Sequence, residues 1–183
     1  MKLLGLLRHA KSDWSDFNQR DFDRGLNGRG ELGAALMGQH IRDHGVRWDH
    51  LLASPAARVR ATLAASGLER VVKGPVQWQE RVYLADSVTL MELLGQVAGD
   101  PASVLLMGHN PGLQELIFEL AGYEAPDPLS AAAAQKFPTA AFAVLELDVA
   151  GWADLRPGCG RLVHFARPRD LDAALGPQAS GVG

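Results

Sequence analysis

The chain opens with MKLLGLLRHA (residues 1–10), an apolar run that ends abruptly on an arginine and a histidine. The run over residues 2–7 has the length and composition of a buried strand. HLLASPAAR (residues 50–58) and VLLMGHNPG (residues 104–112) repeat this order of a short apolar run, then Arg or His, then a helical pattern. Short strands that alternate with helices are typical of βαβ units, so we predict an α/β fold with a mostly parallel central sheet.

The segments that follow these strands carry recognisable helix-end signals. Asn27 is a favoured N-cap for the helix that follows it. Ser54 and Asn110 are the predicted N-caps of two later helices, and each precedes a proline, which favours the first helical position. Residues 137–148 and 160–168 are β-rich, and we predict that they pair as a hairpin at the sheet edge.

The composition is that of an ordinary globular domain. With 183 residues, 47% hydrophobic and 21% charged, the chain suits one domain, placed at residues 1–175, with a flexible tail at 176–183. With a net charge of -3, the chain lacks the positive surface potential that is typical of a nucleic-acid-binding protein. No apolar run in the sequence is long enough to span a membrane. The single cysteine, Cys159, excludes an internal disulfide and fits a cytoplasmic location.

Arg8, His9, Arg58 and His109 are the candidate functional residues, because each follows the carboxyl end of a predicted strand. If these strands are parallel, the four side chains meet at the edge where open α/β sheets bind ligands. Arg58 would lie in the first turn of a helix, where the helix dipole disfavours a cation by ~0.3 to 1 kcal/mol unless an anion binds there. Since arginine binds phosphate through bidentate contacts, the group predicts a phosphate site.

Histidine adds chemistry to such a phosphate site. A neutral imidazole with one nitrogen held by a hydrogen bond can accept a phosphoryl group on the other, while the second histidine and the arginines stabilise the transferred charge. This scheme requires no metal and no cofactor. His40 and His44 have the i, i+4 spacing of metal ligands, but without an evident third ligand we interpret them as part of a solvated helix face.

The order of the motifs resembles that of a known family. L-R-H-A at residues 7–10, S-P-x-x-R at 54–58 and G-H-N-P at 108–111 resemble the histidine phosphatase superfamily, whose fold is phosphoglycerate mutase-like. R-H-A-K-S-x-W at 8–14, D-R-x-L-N-x-R-G at 23–30, F-P-T-A-A at 137–141 and G-R-L-V-H-F-A-R-P at 160–168 resemble its SixA-type phosphohistidine phosphatase branch. The resemblance spans residues 2–168 and implies a three-layer α/β/α sandwich.

The resemblance also implies roles for individual residues. His9 would be the phospho-accepting nucleophile, and Arg8, Arg58 and His109 would hold the phosphoryl group. Asn110 is included among the substrate-binding residues.

Many superfamily members use a carboxylate between the second arginine and the second histidine as a general acid. Glu80 and Asp86 are the candidates in this chain, with Glu80 slightly ahead. A phosphohistidine substrate needs less help from an acid, because its leaving ring nitrogen can be protonated near neutral pH.

The segments around the site bear on the substrate. Only 50 residues, 59–108, separate Arg58 from His109, so we predict an open site without a large lid subdomain. The candidates for further substrate contacts, in and beside the polar loop at residues 12–27, are Lys11, Ser12, Arg20 and Arg24, with Trp14 bordering the site.

Three functions are compatible with these residues. The first is a phosphatase that acts on phosphohistidine in a protein, such as a histidine phosphotransfer domain or a similar carrier. The second is a broad-specificity phosphatase of small phosphomonoesters, and the third is a catalytically weak adaptor that binds phosphate. An open site favours the first, because a phosphoryl group displayed on a protein surface does not require enclosure.

Overall fold

One central sheet organises the computed structural model, which describes residues 1–122 and 128–176. Its strands are β1 (Lys2–Arg8), β2 (His50–Ala53), β3 (Val76–Trp78), β4 (Ser103–Gly108), β5 (Phe142–Leu147) and β6 (Gly160–Ala166). Their order across the sheet is β3-β2-β4-β1-β5-β6, and among these strands only β5 runs against the others. The predicted mostly parallel α/β sheet is therefore confirmed, as is the antiparallel pairing of β5 with β6 at its edge.

Helices cover both faces of this sheet. In the described ranges they are α1 (Gly28–His44), α2 (Ala57–Ser66), α3 (Ser87–Gly95), α4 (Gly112–Ala121), α5 (Pro128–Gln135) and α6 (Pro168–Leu171). Because successive strand residues point to opposite faces, Leu6 and Leu106 pack into the core beside α3 and α4, whereas Leu7 and Met107 pack into the core beside α1 and α2. This is the three-layer α/β/α sandwich that the sequence predicts.

The parallel register brings three strand ends together at one edge of the sheet. Arg8 at the end of β1 lies opposite Gly108 at the end of β4. Ala53 at the end of β2 lies opposite Met107, one residue earlier in β4. The chain therefore leaves the sheet at neighbouring points after β1, β2 and β4, and this convergence positions the candidate site.

The ends of α1 follow the local signals in the sequence. Asn27 is the N-cap, and its side-chain oxygen accepts a hydrogen bond from the backbone N–H of Gly30 at 2.8 Å. Gly45 ends the helix with φ of 86°, a left-handed conformation that favours glycine. The predicted cap at Asn27 is confirmed.

Ser54 and Asn110 are not the N-caps that the sequence predicts. The helix α2 begins three residues after Ser54, and α4 begins two residues after Asn110, so the two prolines precede the helices. The physical reason is that both polar side chains also contact distant parts of the chain. The Ser54 hydroxyl contacts the ring of His109, and the Asn110 amide donates to the backbone carbonyl of Phe137 at 3.0 Å.

The chain between α2 and β4 forms only short elements. It contains two 3₁₀ turns, the three-residue strand β3 and the nine-residue helix α3, so the described residues build no large lid, as predicted. None of the helices in the described ranges is long and apolar enough to cross a membrane. The domain limits at residues 1–175 stay a prediction, and all but the first residue of the predicted tail, 176–183, lie outside the described residues.

Candidate active site

The tripeptide Arg8-His9-Ala10 is fixed by contacts with three separate parts of the fold. The backbone N–H of His9 donates to the carbonyl of Gly108 at 3.1 Å, at the end of β4. The N–H of Ala10 donates to the hydroxyl of Thr62 on α2 at 2.9 Å, and the carbonyl of His9 accepts from the N–H of Ala140 at 3.0 Å. These bonds set the direction in which the His9 ring leaves the sheet edge.

His9 is buried and has one ring nitrogen engaged. The residue is 7% exposed, and its ring Nδ1 lies 2.8 Å from the carbonyl oxygen of Ala10. A carbonyl only accepts hydrogen bonds, so Nδ1 carries the proton and donates it, which leaves Nε2 with a free lone pair. Burial, together with the charges of Arg58 and Arg8, lowers the pKa of His9 to about 4. The ring is therefore neutral at physiological pH and suited to act as a nucleophile.

His109 packs beside His9 and is also held neutral. The two ring centroids are 5.1 Å apart, and His109 is only 3% exposed. Its Nε2 lies 2.8 Å from the hydroxyl oxygen of Ser54, while Nδ1 is buried with no hydrogen-bond partner among the described residues. Burial, followed by the nearby His9 and Arg58, lowers the pKa of His109 to about 3. The unpartnered nitrogen is available to a bound ligand.

Arg58 is oriented by an acidic residue that sequence reasoning missed. Its guanidinium donates to the backbone carbonyl of Asp21 at 2.7 Å and to the Asp21 carboxylate at 3.0 Å. The hydroxyl of Tyr83 donates to the same carboxylate at 2.6 Å. Burial acts to raise the pKa of Asp21, but the hydrogen bonds from Tyr83 and Arg58 outweigh it and hold the pKa below its ordinary value. Asp21 is therefore an ionised partner of Arg58.

Arg8 and Asn110 meet at the backbone of Phe137. The carbonyl of Phe137 accepts from Nη1 of Arg8 at 2.9 Å and from the side-chain amide of Asn110 at 3.0 Å. The Nε of Arg8 and the side-chain oxygen of Asn110 are buried without a hydrogen-bond partner in the described residues. Burial and the charge of Arg58 lower the pKa of Arg8 from its ordinary value. An anion at this point would satisfy the unpartnered N–H of Arg8.

One cavity of about 410 Å³ joins these side chains. The candidate catalytic and substrate-binding residues all line it, namely Arg8, His9, Arg58, His109 and Asn110. The structure thus places the four candidate catalytic residues and the candidate substrate-binding asparagine together, while their roles in a reaction stay predictions. Two arginines, one of them with an unpartnered N–H, and two neutral histidines suit a multiply charged oxyanion such as phosphate.

The two predicted general acids lie away from this cavity. Glu80 is exposed in the 3₁₀ turn Glu80–Val82 and does not line the cavity. Asp86 is the N-cap of α3, where its carboxylate accepts from the backbone N–H of Thr89 at 2.8 Å. The carboxylate that does line the cavity is Asp21, in the polar loop before α1. The only sequence signal for it was the concentration of aspartates in that loop.

The residues of the polar loop divide into two groups. Lys11, Ser12 and Trp14 line the cavity, and their contact with a substrate stays a prediction. Arg24 instead holds the loop together, because its buried guanidinium donates to the backbone carbonyls of residues 16 and 19 at 2.8 Å and lies 4.2 Å from the Trp14 ring. Arg20 forms an exposed pair with a neighbouring aspartate and does not reach the cavity.

His40 is partly exposed and His44 is exposed on α1, as the prediction of a solvated face implies, but both also contact a third histidine. Both pack against His164 of β6, with His40 Nε2 at 2.9 Å from His164 Nε2 and the His44 ring centroid at 4.5 Å from that of His164. Spacing within one helix could not reveal this third ring, which arrives from a strand 120 residues away in sequence. Within the described ranges, no group of three or more His, Cys, Asp or Glu residues is arranged to hold a metal ion.

Comparison with known proteins places this architecture in a family. Residues 4–83 match the family described as histidine phosphatase superfamily (branch 1). An uncharacterized protein of Mycobacterium tuberculosis strain H37Rv is 39% identical over 165 residues, which cover 89% of this chain and 100% of that protein.

Two solved bacterial structures, both provisionally assigned as the phosphohistidine phosphatase SixA, are also similar. The Agrobacterium tumefaciens protein has 34% identity and a TM-score of 0.75, covering 91% of this chain and 98% of its own. The Nakamurella multipartitia protein has 29% identity and a TM-score of 0.79, covering 91% and 96%.

Two findings define the class of protein. The fold is a three-layer α/β/α sandwich with two arginines and two histidines at one sheet edge, and the similarities above agree with it. The chain belongs to the histidine phosphatase superfamily, and within it to the SixA type.

Proposed function

We propose that this protein is a cytoplasmic phosphatase that removes phosphoryl groups from phosphohistidine in a partner protein, such as a histidine phosphotransfer domain, through a phosphohistidine intermediate on His9. One observation carries the proposal. His9, with Nδ1 engaged by the carbonyl of Ala10, lines the same cavity as Arg8, Arg58 and His109. A neutral imidazole with one free lone pair, surrounded by donors for a phosphoryl group, is the arrangement that covalent phosphoryl transfer requires.

The reaction has two steps. In the first, the Nε2 lone pair of His9 forms a bond to phosphorus, the bond from phosphorus to the substrate nitrogen breaks, and the leaving nitrogen takes up a proton. In the second, water attacks the phosphorus on His9, the bond from phosphorus to Nε2 breaks, and inorganic phosphate leaves. Arg8 and Arg58 stabilise the charge on the equatorial oxygens in both steps.

The single carboxylate among the described residues that line the cavity favours phosphohistidine over a phosphomonoester as the substrate. An ester releases an alkoxide, which needs a general acid, and the carboxylate lining the cavity, Asp21, has a lowered pKa and is ionised at neutral pH. The leaving imidazole of a phosphohistidine takes its proton from solvent near neutral pH. The substrate that needs the least acid help is thus the one that suits this cavity.

The rim of the cavity supports a protein as the phosphoryl donor. Trp14 is 55% exposed and Leu84 is 56% exposed, and both line the cavity. Large apolar side chains exposed around a polar centre are typical of surfaces that bind another macromolecule. A small phosphate ester would leave both side chains in water.

Transfer of labelled phosphate tests this proposal. The protein is mixed with a ³²P-labelled phosphohistidine protein, quenched in alkali after milliseconds, and digested to locate the label. We expect label on His9, and no label and no turnover in His9→Ala. Turnover that persists in His9→Ala would overturn the nucleophile assignment.

The same experiment separates the remaining functions. Faster turnover of a small phosphomonoester than of the phosphohistidine protein would indicate a broad-specificity phosphatase. Phosphate binding without turnover of either donor would indicate an adaptor.

A further inference from the structure

A second cavity, of about 420 Å³, lies beside the active-site cavity. It is bounded by the first turn of α1, the segment before β5 and the start of α6, and we call it the basic cavity after Lys11, Arg29, Lys136 and Arg169, which line it. No aspartate or glutamate is among the described residues that line it. Four cations around one opening are notable in a chain of net charge -3.

These four cations have no carboxylate partner in the described part of the chain. None of them takes part in an ion pair, although 21 acidic residues are present in the sequence. The carboxylate of Asp170, adjacent to Arg169 in sequence, binds Arg167 at 2.9 Å instead. Arg29 is half-buried and donates to the carbonyl of Gly176. Asp170 also interacts electrostatically with Arg169, but no carboxylate is among the described residues that line the cavity, so an anion there would reduce the repulsion between the four cations.

Small residues keep the basic cavity open. A Cβ added to Gly30 would lie 2.1 Å from the carbonyl oxygen of Lys11, so only glycine lets α1 approach the segment that follows β1 this closely. A Cβ on Gly33 would reach only the methyl group of Ala140, at 4.0 Å. The glycines thus add no side chains to the wall of the cavity, and its charges are carried by the longer lysine and arginine side chains. This arrangement leaves room for a ligand group.

The two cavities share a wall. Lys11 and Thr139 line both of them, and Lys11 is two residues from His9. A substrate with its phosphoryl group on His9 could therefore place a second group of the same molecule in the basic cavity.

We infer that the basic cavity binds a second anionic group of the substrate, a carboxylate or a phosphate, next to the phosphoryl group that His9 attacks. This inference rests on the proposed function and narrows its substrate class. On a partner protein the second group would be an acidic side chain about one helical turn from the phosphohistidine, since residues three and four apart share a helix face. On a small molecule it would be a second phosphate.

Matched substrate pairs test the inference and identify the source of the anion. One pair is a helical phosphohistidine peptide with Glu or with Gln four residues after the phosphohistidine. The other is the monophosphate and the bisphosphate of one alkanediol. We expect KM to be about 3- to 10-fold lower for the more acidic member of at least one pair, with kcat unchanged, as partly exposed ion pairs would give. The pair that shows the preference identifies the source.

Variants assign the preference to the basic cavity. In Arg29→Gln and Arg169→Gln we expect the KM advantage of the acidic member to disappear while the other member is unaffected. Arg70→Gln makes the same change at an exposed arginine that does not line the cavity, and should keep the advantage. Because Arg29 also donates to a backbone carbonyl, its replacement could change the structure of the cavity. The KM advantage is therefore also measured in wild-type protein between about 0.05 M and 0.5 M salt, and screening should remove it at the higher concentration.

Binding to His9→Ala protein separates this inference from the proposed function. Calorimetric titration of that variant with both substrate pairs needs no turnover. Absence of hydrolysis for all four substrates would count against the proposed function alone. Equal affinities within both pairs, or a preference that survives in Arg29→Gln and Arg169→Gln, would overturn the basic cavity as an anion site.

Discussion

Replacing Ser54 with alanine tests how the buried histidine of the site is held. Ser54 is fully buried, and its hydroxyl oxygen lies 2.8 Å from Nε2 of His109 and accepts the backbone N–H of Ala56 at 3.3 Å. The Nδ1 of His109 already has no partner in the described residues. In Ser54→Ala the ring would therefore lose its one hydrogen bond and stay buried, because alanine is smaller and does not displace it.

The size of the effect follows from these contacts. Leaving a buried polar group unsatisfied costs about 1 to 3 kcal/mol. For a chain of this length, about 2 kcal/mol corresponds to a fall in Tm of roughly 4 to 8 °C. We also expect kcat/KM to fall about tenfold, or about 1.4 kcal/mol of transition-state stabilisation, because the ring loses the contact that fixes its orientation.

Thermal unfolding and steady-state kinetics measure both effects. Ser87→Ala is the control, because it makes the same change at a half-buried serine of α3 that does not line the cavity. The control should change Tm by about 2 °C or less, as substitutions away from buried contacts commonly do. The same Tm and the same kcat/KM in Ser54→Ala and Ser87→Ala would refute the role of the Ser54 hydroxyl.

Three further predictions follow from other parts of the structure. Glu80→Gln should leave kcat within about twofold of wild type in kinetic assays, because the Glu80 side chain is exposed and does not line the cavity. A decrease in kcat of about 100-fold would instead support Glu80 as the general acid. Burial lowers the pKa of His164 to about 4, whereas the same side chain in the unfolded protein has a pKa near 6.5. As pH falls from about 6.5 to about 4, His164 is protonated in the unfolded state first, so the free energy of unfolding decreases. Urea unfolding at several pH values should show a smaller decrease for His164→Gln than for wild type. Gly30→Ala should destabilise the fold by about 1 to 3 kcal/mol in denaturant titrations, because its Cβ would lie 2.1 Å from the carbonyl of Lys11, whereas Gly28→Ala, with nothing within 4 Å, should be neutral or slightly stabilising.

The sheet and the four candidate catalytic residues were predictable because they depend on short-range patterns. Each apolar run is followed within a few residues by its Arg or His, and parallel pairing then fixes where all of them lie. The register of Arg8 opposite Gly108 is a consequence of β1 and β4 running side by side. No knowledge of loop conformation was needed to bring His9 and His109 to one edge.

The residues that support the site were not predictable in this way. Asp21 reaches Arg58 from a polar loop, and which of its several aspartates would do so depends on how that loop folds over α2. Ser54 satisfied every local rule for an N-cap, yet its hydroxyl binds His109, which is 55 residues away in sequence. A tertiary contact thus overrides the local preference of Ser54, and a tertiary contact selects Asp21 among the aspartates of its loop.

The charge state of the site depends on whether an anion is bound. Without one, burial and the positive charge of Arg58 disfavour protonation of His9 and His109, and both rings are neutral. A bound phosphoryl group adds negative charge against Arg8 and Arg58 and offsets the repulsion that they exert on a protonated ring. In the proposed reaction, protonation of His109 then becomes more favourable, so that it can donate to the phosphoryl oxygens while His9 acts as the nucleophile. The arginines would then act in two ways: they add to the larger effect of burial in keeping His9 deprotonated before the substrate arrives, and they would bind the group whose charge makes His109 a donor.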